Sequence, residues 1–180
     1  MKLLFVGPPG AGKGTQADRV ADKLGIAHVS TGDMFRALDD STALGRRVNE
    51  IMESGGYVSD GIVIEMLEAR IALPDAADGY ILDGFPRTVP QAEALDDFLG
   101  DTGLDAVVLF EIDTDEVVTR MLERGRADDT EETIRTRLEV YREQTEPLIG
   151  RYEERGLVRR VDAEGDIEEI TTRVLSALDA

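Results

Sequence analysis

Apolar residues in this chain form short, nearly continuous runs that alternate with longer stretches of helical spacing. Runs of this kind are typical of strands that are buried on both faces of a parallel sheet. The pattern predicts five strands, at KLLFV (2–6), AHVS (27–30), GYILD (79–83), DAVVLFEID (105–113) and LVRRVD (157–162). Helices between them would cover both faces of the sheet, which indicates an α/β fold in three layers.

The stretch from 30 to 59 departs from this alternation, because it holds two helical patterns and no strand. The first pattern opens with Ser30-Thr31-Gly32-Asp33, which resembles a capping box, and the second starts at Ser41-Thr42. The second pattern places four apolar residues on one face: Leu44, Val48, Ile51 and Met52. We expect a mobile helical insertion that lies on the sheet.

Length and composition favour one domain without a membrane anchor. The chain has 180 residues, of which 42% are apolar, enough for one sizeable core. No apolar stretch approaches the roughly 20 residues of a membrane span, and the first run is too short for a signal peptide. We therefore expect a cytoplasmic protein.

The charge balance and the lack of cysteine exclude several classes of function. Acidic residues number 38 against 20 basic ones, and the net charge is -18. Broad binding to nucleic acid or to anionic membranes needs a basic surface, so neither partner is expected. Without cysteine, disulfides and thiolate zinc sites are excluded.

A glycine-rich segment, GPPGAGKGTQ (7–16), follows the first predicted strand and precedes a helical pattern. Gly7, Gly12 and Lys13 match G-x-x-x-x-G-K-[ST], but the hydroxyl comes one residue late, at Thr15. Glycines let successive amides point at a phosphate, the helix N-terminus adds positive potential, and the lysine adds a charge. The segment therefore predicts a phosphate-binding loop.

Asp83 ends the third predicted strand, within YILDGFPR (80–87). A carboxylate at the end of a buried strand beside a phosphate loop can hold Mg²⁺ directly or through its water ligands. The position predicts a magnesium contact at Asp83.

Arginines cluster in the later part of the chain. Arg120 and Arg124 are four residues apart in a helical pattern and project from one side of it. Arg137 lies on the inner face of the next pattern, which is marked by Ile134, Leu138, Tyr141 and Thr145. Any one of these arginines could simply pair with Asp128 or Asp129. Several together beside a phosphate loop favour the binding of phosphate groups.

Five stretches and one further residue resemble the motifs of the adenylate kinases, which move a phosphoryl group from ATP to AMP. They are GPPGAGKGT (7–15), STGDMFR (30–36), DGFPRT (83–88) with Gln91, RADDTEETIRTRLEVY (126–141) and VDAEGD (161–166). The resemblance spans almost the whole chain. It implies a P-loop fold with a five-stranded parallel sheet in the order 2-3-1-4-5, and a reaction that gives two ADP.

The resemblance also implies a role for particular residues. ATP would contact Gly10, Ala11, Gly12, Lys13, Gly14, Thr15, Arg120, Arg124 and Gly165. AMP would contact Thr31, Arg36, Gly56, Tyr57, Val58, Gly84, Phe85, Arg87, Gln91, Arg126 and Arg137. The catalytic set would be Lys13, Arg87, Arg120, Arg124, Arg126 and Arg137.

By the same resemblance, residues 1–29, 60–124 and 132–180 form the core, 30–59 the AMP-binding insertion and 125–131 a short lid. The lid replaces the small β domain of many relatives, so no zinc is expected and Mg²⁺ bound with ATP is the expected cofactor. ATP, AMP and ADP are the expected partners of a monomer. The chain departs from the family at Tyr57, where relatives usually have leucine.

Two other functions stay open from the residues alone. A kinase for UMP or CMP would share most of these motifs, because a single amide, that of Gln91, does not determine which nucleobase is bound. A regulator that binds nucleotides without catalysis would share the phosphate loop, although it would not require arginines at the point of transfer. An AMP phosphate carries anionic oxygens and needs no general base, which suits a site of loop, metal and arginines.

Overall fold

The computed structural model describes residues 1–126 and 129–179. Within them the strands are β1 (Lys2–Val6), β2 (Ala27–Ser30), β3 (Tyr80–Asp83), β4 (Ala106–Glu111) and β5 (Val158–Asp162). The α-helices are α1 (Lys13–Leu24), α2 (Thr31–Arg36), α3 (Ala43–Glu53), α4 (Asp60–Ile71), α5 (Val89–Leu99), α6 (Thr114–Arg124), α7 (Glu131–Val140), α8 (Leu148–Glu154) and α9 (Ile167–Leu178). Each predicted apolar run is a strand, shorter by a residue or two at some ends.

The strands form one parallel sheet in the order β2-β3-β1-β4-β5, which confirms the predicted fold. β1 lies at the centre, with Leu4 in register with Leu82 of β3 and Val107 of β4. After β1 the chain continues to β2 at one edge of the sheet, and after β4 it continues to β5 at the other edge. The crevice beyond the carboxyl ends of β1 and β4 is therefore a switch point, the usual ligand site of such sheets.

Successive residues of β1 enter separate cores on the two faces of the sheet, because strand side chains alternate in direction. Leu4 joins the core that contains α4, α5 and α8, while Leu3 and Phe5 join the core formed with α1 and α9. Phe5 packs against Phe110 with ring centroids 5.1 Å apart. None of the helices in the described part of the chain is long and apolar enough to cross a membrane.

The predicted helical insertion contains α2 and α3. The Ser30 hydroxyl accepts a hydrogen bond from the Asp33 N–H, which confirms the predicted cap, and Thr42 caps α3 by accepting one from the Gly45 N–H. Val48 is fully buried, but Leu44, in the first turn of α3, is 40% exposed, so the apolar face of α3 is buried only in part. Leu44 follows the exposed residues 39–43, and the buried stripe begins one turn later.

Helices α6 and α7 form a third, smaller core from Val117, Met121, Ile134 and Leu138. A single π-helical turn, Tyr141–Thr145, continues α7, and both of its end residues are buried. The predicted inner face is therefore confirmed as far as Thr145. Single π turns recur at functional sites, and this one reaches the cleft described next.

Candidate active site

A cleft of about 640 Å³ opens beyond the carboxyl ends of the central strands. Its walls come from the phosphate loop, the insertion, the turn after β3, and helices α6 and α7. Every residue that the sequence predicted for the two nucleotides lines this cleft, with the exception of Thr31. Its volume lies within the range of small-molecule sites.

Thr31 lies just behind the wall. It is 1% exposed, and its hydroxyl donates a hydrogen bond to the Gly84 carbonyl at 3.0 Å. Its neighbours Ser30, Gly32 and Asp33 do line the cleft. The side chain of Thr31 therefore supports the turn after β3, and its contact with AMP stays a prediction.

The glycines of the loop are required where the chain passes close to α6. Gly10 has φ +86°, and a Cβ there would lie 2.7 Å from Met121 Cγ and 3.0 Å from the Val117 carbonyl oxygen. Gly12, also at φ +86°, is the N-cap of α1, and no side chain caps that helix. A helix N-terminus without a side-chain cap can receive an anion there.

Lys13 is held at the base of the loop. Its ammonium donates to the carbonyl oxygens of Gly7 and Pro8, at 2.8 Å each. Burial lowers the pKa of Lys13 to about 8; the carboxylate of Asp83 opposes this shift, and the arginines Arg87 and Arg124 add to it. Lys13 therefore binds its proton less tightly than an exposed lysine does, and a bound anion would strengthen that binding.

This pKa predicts a pH dependence of nucleotide binding. A bound phosphate would raise the pKa of Lys13 above the value of about 8 that it has in the protein without nucleotide. The affinity for ATP should therefore be full below pH 8 and fall as the pH rises through that value. We expect the Kd for ATP, measured by calorimetry, to increase about tenfold between pH 7 and pH 9, with proton uptake at the upper end. Lys13→Arg, which stays charged, should bind with a flatter profile. A Kd for the unaltered protein that is constant over this range would contradict the assignment.

Asp83 ends β3 next to the loop, and its side chain is 14% exposed. A Cβ on Gly14 would lie 3.3 Å from Asp83 Oδ2, so the carboxylate faces the first turn of α1. Burial favours a higher pKa for Asp83, but His28, Lys13 and Arg87 outweigh it and lower the pKa. His28 Nε2 lies 3.6 Å from Asp83 Oδ2, and its Nδ1 lies 2.7 Å from Asp18. Asp83 is thus an ionised carboxylate beside the phosphate loop.

The cleft arginines are held by carboxylates. Arg124 makes two hydrogen bonds to Asp129, at 2.9 and 2.7 Å, and Arg137 makes one at 3.1 Å. Asp129 has no exposed side-chain surface. Arg120 donates to Glu116 and to the Ala163 carbonyl, at 2.9 Å each. The pairing with Asp129 was one of the options from sequence; Asp128 lies outside the described residues.

The turn after β3 fixes Arg87. Its Nε donates to the Gly84 carbonyl at 2.7 Å, and its backbone N–H donates to Gln91 Oε1 at 2.8 Å. Gly84 has φ +83°, and a Cβ there would meet Thr31 Oγ1 at 2.7 Å and Arg87 Nη2 at 2.8 Å. The guanidinium carbon lies 5.0 Å from the centroid of the Tyr57 ring, within the range of a cation–π contact.

Sequence reasoning missed that Tyr141 and Thr145 reach the cleft. The Thr145 hydroxyl donates to the Arg87 carbonyl at 2.9 Å, so the Tyr57 hydroxyl, 2.9 Å away, is the donor in their shared bond. The helical stripe placed both residues on an inner face, but periodicity does not separate a cleft wall from a core.

The fold and the cleft together define a nucleotide-binding protein of the P-loop class. The defining features are the order of the parallel sheet, the glycine-rich loop, the buried lysine and the clustered arginines.

The chain belongs to the adenylate kinase family, whose model, Adenylate kinase, matches residues 5–157. It is 52% identical to the adenylate kinase of Nocardia farcinica over 181 residues, which cover 99% of each chain. It is 51% identical to that of Corynebacterium glutamicum strain R, with the same coverage, and 49% identical to that of Stenotrophomonas maltophilia over the full length of both. The protein is a phosphotransferase, which converts ATP and AMP to two ADP.

Proposed function

We propose that ATP binds on the phosphate-loop side of the cleft and AMP on the insertion side, with their phosphates meeting between them. The observation that carries this proposal is that one cleft is lined by Lys13 and by arginines from both sides. ATP would lie against Gly10, Ala11, Gly12, Lys13, Gly14, Thr15, Arg120, Arg124 and Gly165. AMP would lie against Arg36, Gly56, Tyr57, Val58, Gly84, Phe85, Arg87, Gln91, Arg126 and Arg137, with Thr31 behind them.

Catalysis by this site would be a matter of position and charge. The AMP phosphate attacks as an anion, so no side chain has to remove a proton. Lys13 would neutralise the negative charge of the ATP phosphates, and Arg87 would orient the AMP phosphate. The transferred phosphoryl group would be surrounded by Arg120, Arg124, Arg126 and Arg137. Preorganised positive charge of this kind stabilises the transition state of phosphoryl transfer.

The residues beside the loop fit Mg²⁺. Asp83 offers a carboxylate and Thr15 a hydroxyl, and Mg²⁺ usually takes one or two such oxygens with water and phosphate as its other ligands. Among the described residues, no group of three or more His, Cys, Asp or Glu could hold a metal without such a substrate. When bound, Mg²⁺ supplies positive charge to the phosphates of ATP. Asp83 would hold the ion through water.

Closure of the cleft would keep water from the transferred phosphoryl group. We assign this motion to the insertion 30–59 and to the lid 125–131, of which residues 127 and 128 lie outside the described structure. The two are already linked through α7. Arg137 donates to the Met52 carbonyl and Thr133 to the Glu53 carbonyl, at 3.2 Å each, both at the end of α3.

We further propose that the protein acts as a monomer in the cytoplasm, without nucleic-acid partners. A net charge of -18 supports the last point, since it opposes association with a polyanion.

The decisive experiment is a coupled assay of the purified chain with ATP, Mg²⁺ and one monophosphate at a time: AMP, UMP or CMP. We expect AMP to be the preferred acceptor and EDTA to abolish the reaction. Faster turnover of UMP or CMP would replace this proposal by the pyrimidine alternative. Binding of ATP without any turnover would support the regulatory alternative.

Tyr57 provides a separate test of the AMP side, because it holds Arg87 in two ways. Its ring faces the guanidinium, and its hydroxyl reaches Thr145, which bonds the Arg87 carbonyl. Tyr57→Leu should raise the KM for AMP about three- to tenfold, the size of one cation–π contact. Tyr57→Phe, which keeps the ring, should lie closer to the unaltered enzyme, and the KM for ATP should change in neither variant. An unchanged KM for AMP in the leucine variant would refute this role.

A further inference from the structure

Gln91 lies in a hydrogen-bond network that reaches out of the cleft. The side chain is 2% exposed and lines the cleft wall. Its Nε2 donates to Asp60 Oδ1 at 2.7 Å, and its Oε1 accepts from the Arg87 N–H at 2.8 Å. Asp60 also accepts from the Thr88 hydroxyl at 3.0 Å and begins α4 behind the wall.

These two neighbours allow only one orientation of the amide. A carboxylate accepts hydrogen bonds and a backbone N–H donates them. The amide nitrogen of Gln91 must therefore face Asp60, and the amide oxygen must face Arg87. A flipped amide would place its oxygen against the carboxylate and its NH₂ against the N–H.

The amide keeps one N–H and one oxygen lone pair beyond these two bonds, because it has two donors and two acceptor sites in all. A fixed N–H beside a fixed acceptor matches adenine, which has a ring nitrogen that accepts next to a 6-amino group that donates. A 6-oxo purine such as hypoxanthine presents an acceptor at the 6-position, so it would meet the amide oxygen and lose that bond.

We infer that Asp60 is a positioning residue for base selection, which holds the Gln91 amide in the orientation that accepts a 6-amino purine and rejects a 6-oxo purine. The inference rests on the proposed place of AMP beside Gln91. Asp60 acts only through Gln91, since it does not itself line the cleft. A charge-assisted bond at 2.7 Å is the stronger of the two restraints.

The test compares AMP with IMP as acceptors in Asp60→Asn, at saturating ATP and Mg²⁺. The asparagine can offer either oxygen or NH₂ to Gln91, so only the weaker restraint from the Arg87 N–H still favours the original orientation. We expect the ratio of kcat/KM for AMP to that for IMP to fall about five- to tenfold, the size of one such hydrogen bond. A structural defect would lower both rates and leave their ratio unchanged.

Three further variants sharpen the result. Glu65→Gln removes the same charge from an exposed position of α4 and should keep the ratio of the unaltered enzyme. Asp60→Ser, a smaller polar replacement in the first turn of α4, provides a second variant in case asparagine impairs folding. In a Gln91→Leu background, Asp60→Asn should no longer change the ratio, because the side chain through which it acts is absent.

The outcomes separate this inference from the proposed function. If the unaltered enzyme does not phosphorylate AMP, the proposed function is wrong. If it phosphorylates AMP and IMP equally well, or if both Asp60 variants keep the ratio within twofold, the role of Asp60 is overturned while the proposed function stands. A fall in the ratio that disappears in the Gln91→Leu background supports it.

Discussion

Lys13→Ala will lower kcat for the conversion of ATP and AMP to ADP by about two to three orders of magnitude, the loss typical of one preorganised charge at a transition state. The ammonium lies at the base of the phosphate loop, and its two present partners are carbonyl oxygens that a phosphate can replace. A coupled assay at pH 7 measures the effect, since the unaltered lysine, with its pKa of about 8, is then mostly charged.

Folding should survive this change. Burial lowers the pKa of Lys13 and so disfavours its charged form in the folded protein, and removal of that charge should cost the fold little. Circular dichroism should give an unchanged spectrum. Lys23→Ala is the matched control, because Lys23 lies exposed in the last turn of the same helix. Near-normal turnover by a folded Lys13→Ala enzyme would mean that the loop does not hold the transferred phosphate.

Arg87→Ala will lower kcat/KM for AMP by about two to three orders of magnitude and leave the KM for ATP almost unchanged. The arginine is fixed by the Gly84 carbonyl, by the Tyr57 ring and through its own backbone by Gln91 and Thr145. A side chain held from so many directions loses little freedom on binding a phosphate, so its contribution to the transition state is large.

Two variants check this result. Arg87→Lys should recover little of the lost activity. An ammonium lacks the planar set of N–H donors with which a guanidinium can bind a phosphate and the Gly84 carbonyl together. Arg142→Ala, at an exposed position of the π-helical turn, should behave as the unaltered enzyme. An Arg87→Ala effect that falls equally on the KM for ATP would argue that the arginine serves the whole cleft and not the AMP side.

The parts of the molecule that the sequence predicted are those with a local signal. KLLFV and DAVVLFEID are apolar on both faces, and this alone indicates a central position in a parallel sheet. The phosphate loop is equally local, because its glycines and Lys13 act on a single group within a few residues. The same is true of the helix cap at Ser30 and of the helix start near Thr42. The sheet order and most site residues came from the family resemblance, which no spacing of apolar residues would supply.

Local patterns did not indicate the features that arise where distant segments meet. Leu44 continues the apolar face of α3, but it is 40% exposed because it follows the exposed residues 39–43. Thr31 belongs to a nucleotide-binding motif, but its hydroxyl serves the Gly84 carbonyl. Tyr141 and Thr145 follow a helical stripe, and only the π turn and the docking of Tyr57, 88 residues from Thr145, place them on a cleft wall.

By itself, the sequence determined the strands, the phosphate loop and the presence of clustered arginines, because each depends on neighbours within one turn or one strand. Only the tertiary structure decided how those arginines are held and which way the Gln91 amide faces. Asp129 gathers Arg124 and Arg137, and Asp60 binds an amide 31 residues away. Such contacts depend on how separate elements pack, and the direction of a hydrogen bond is set by the donors and acceptors that packing brings together.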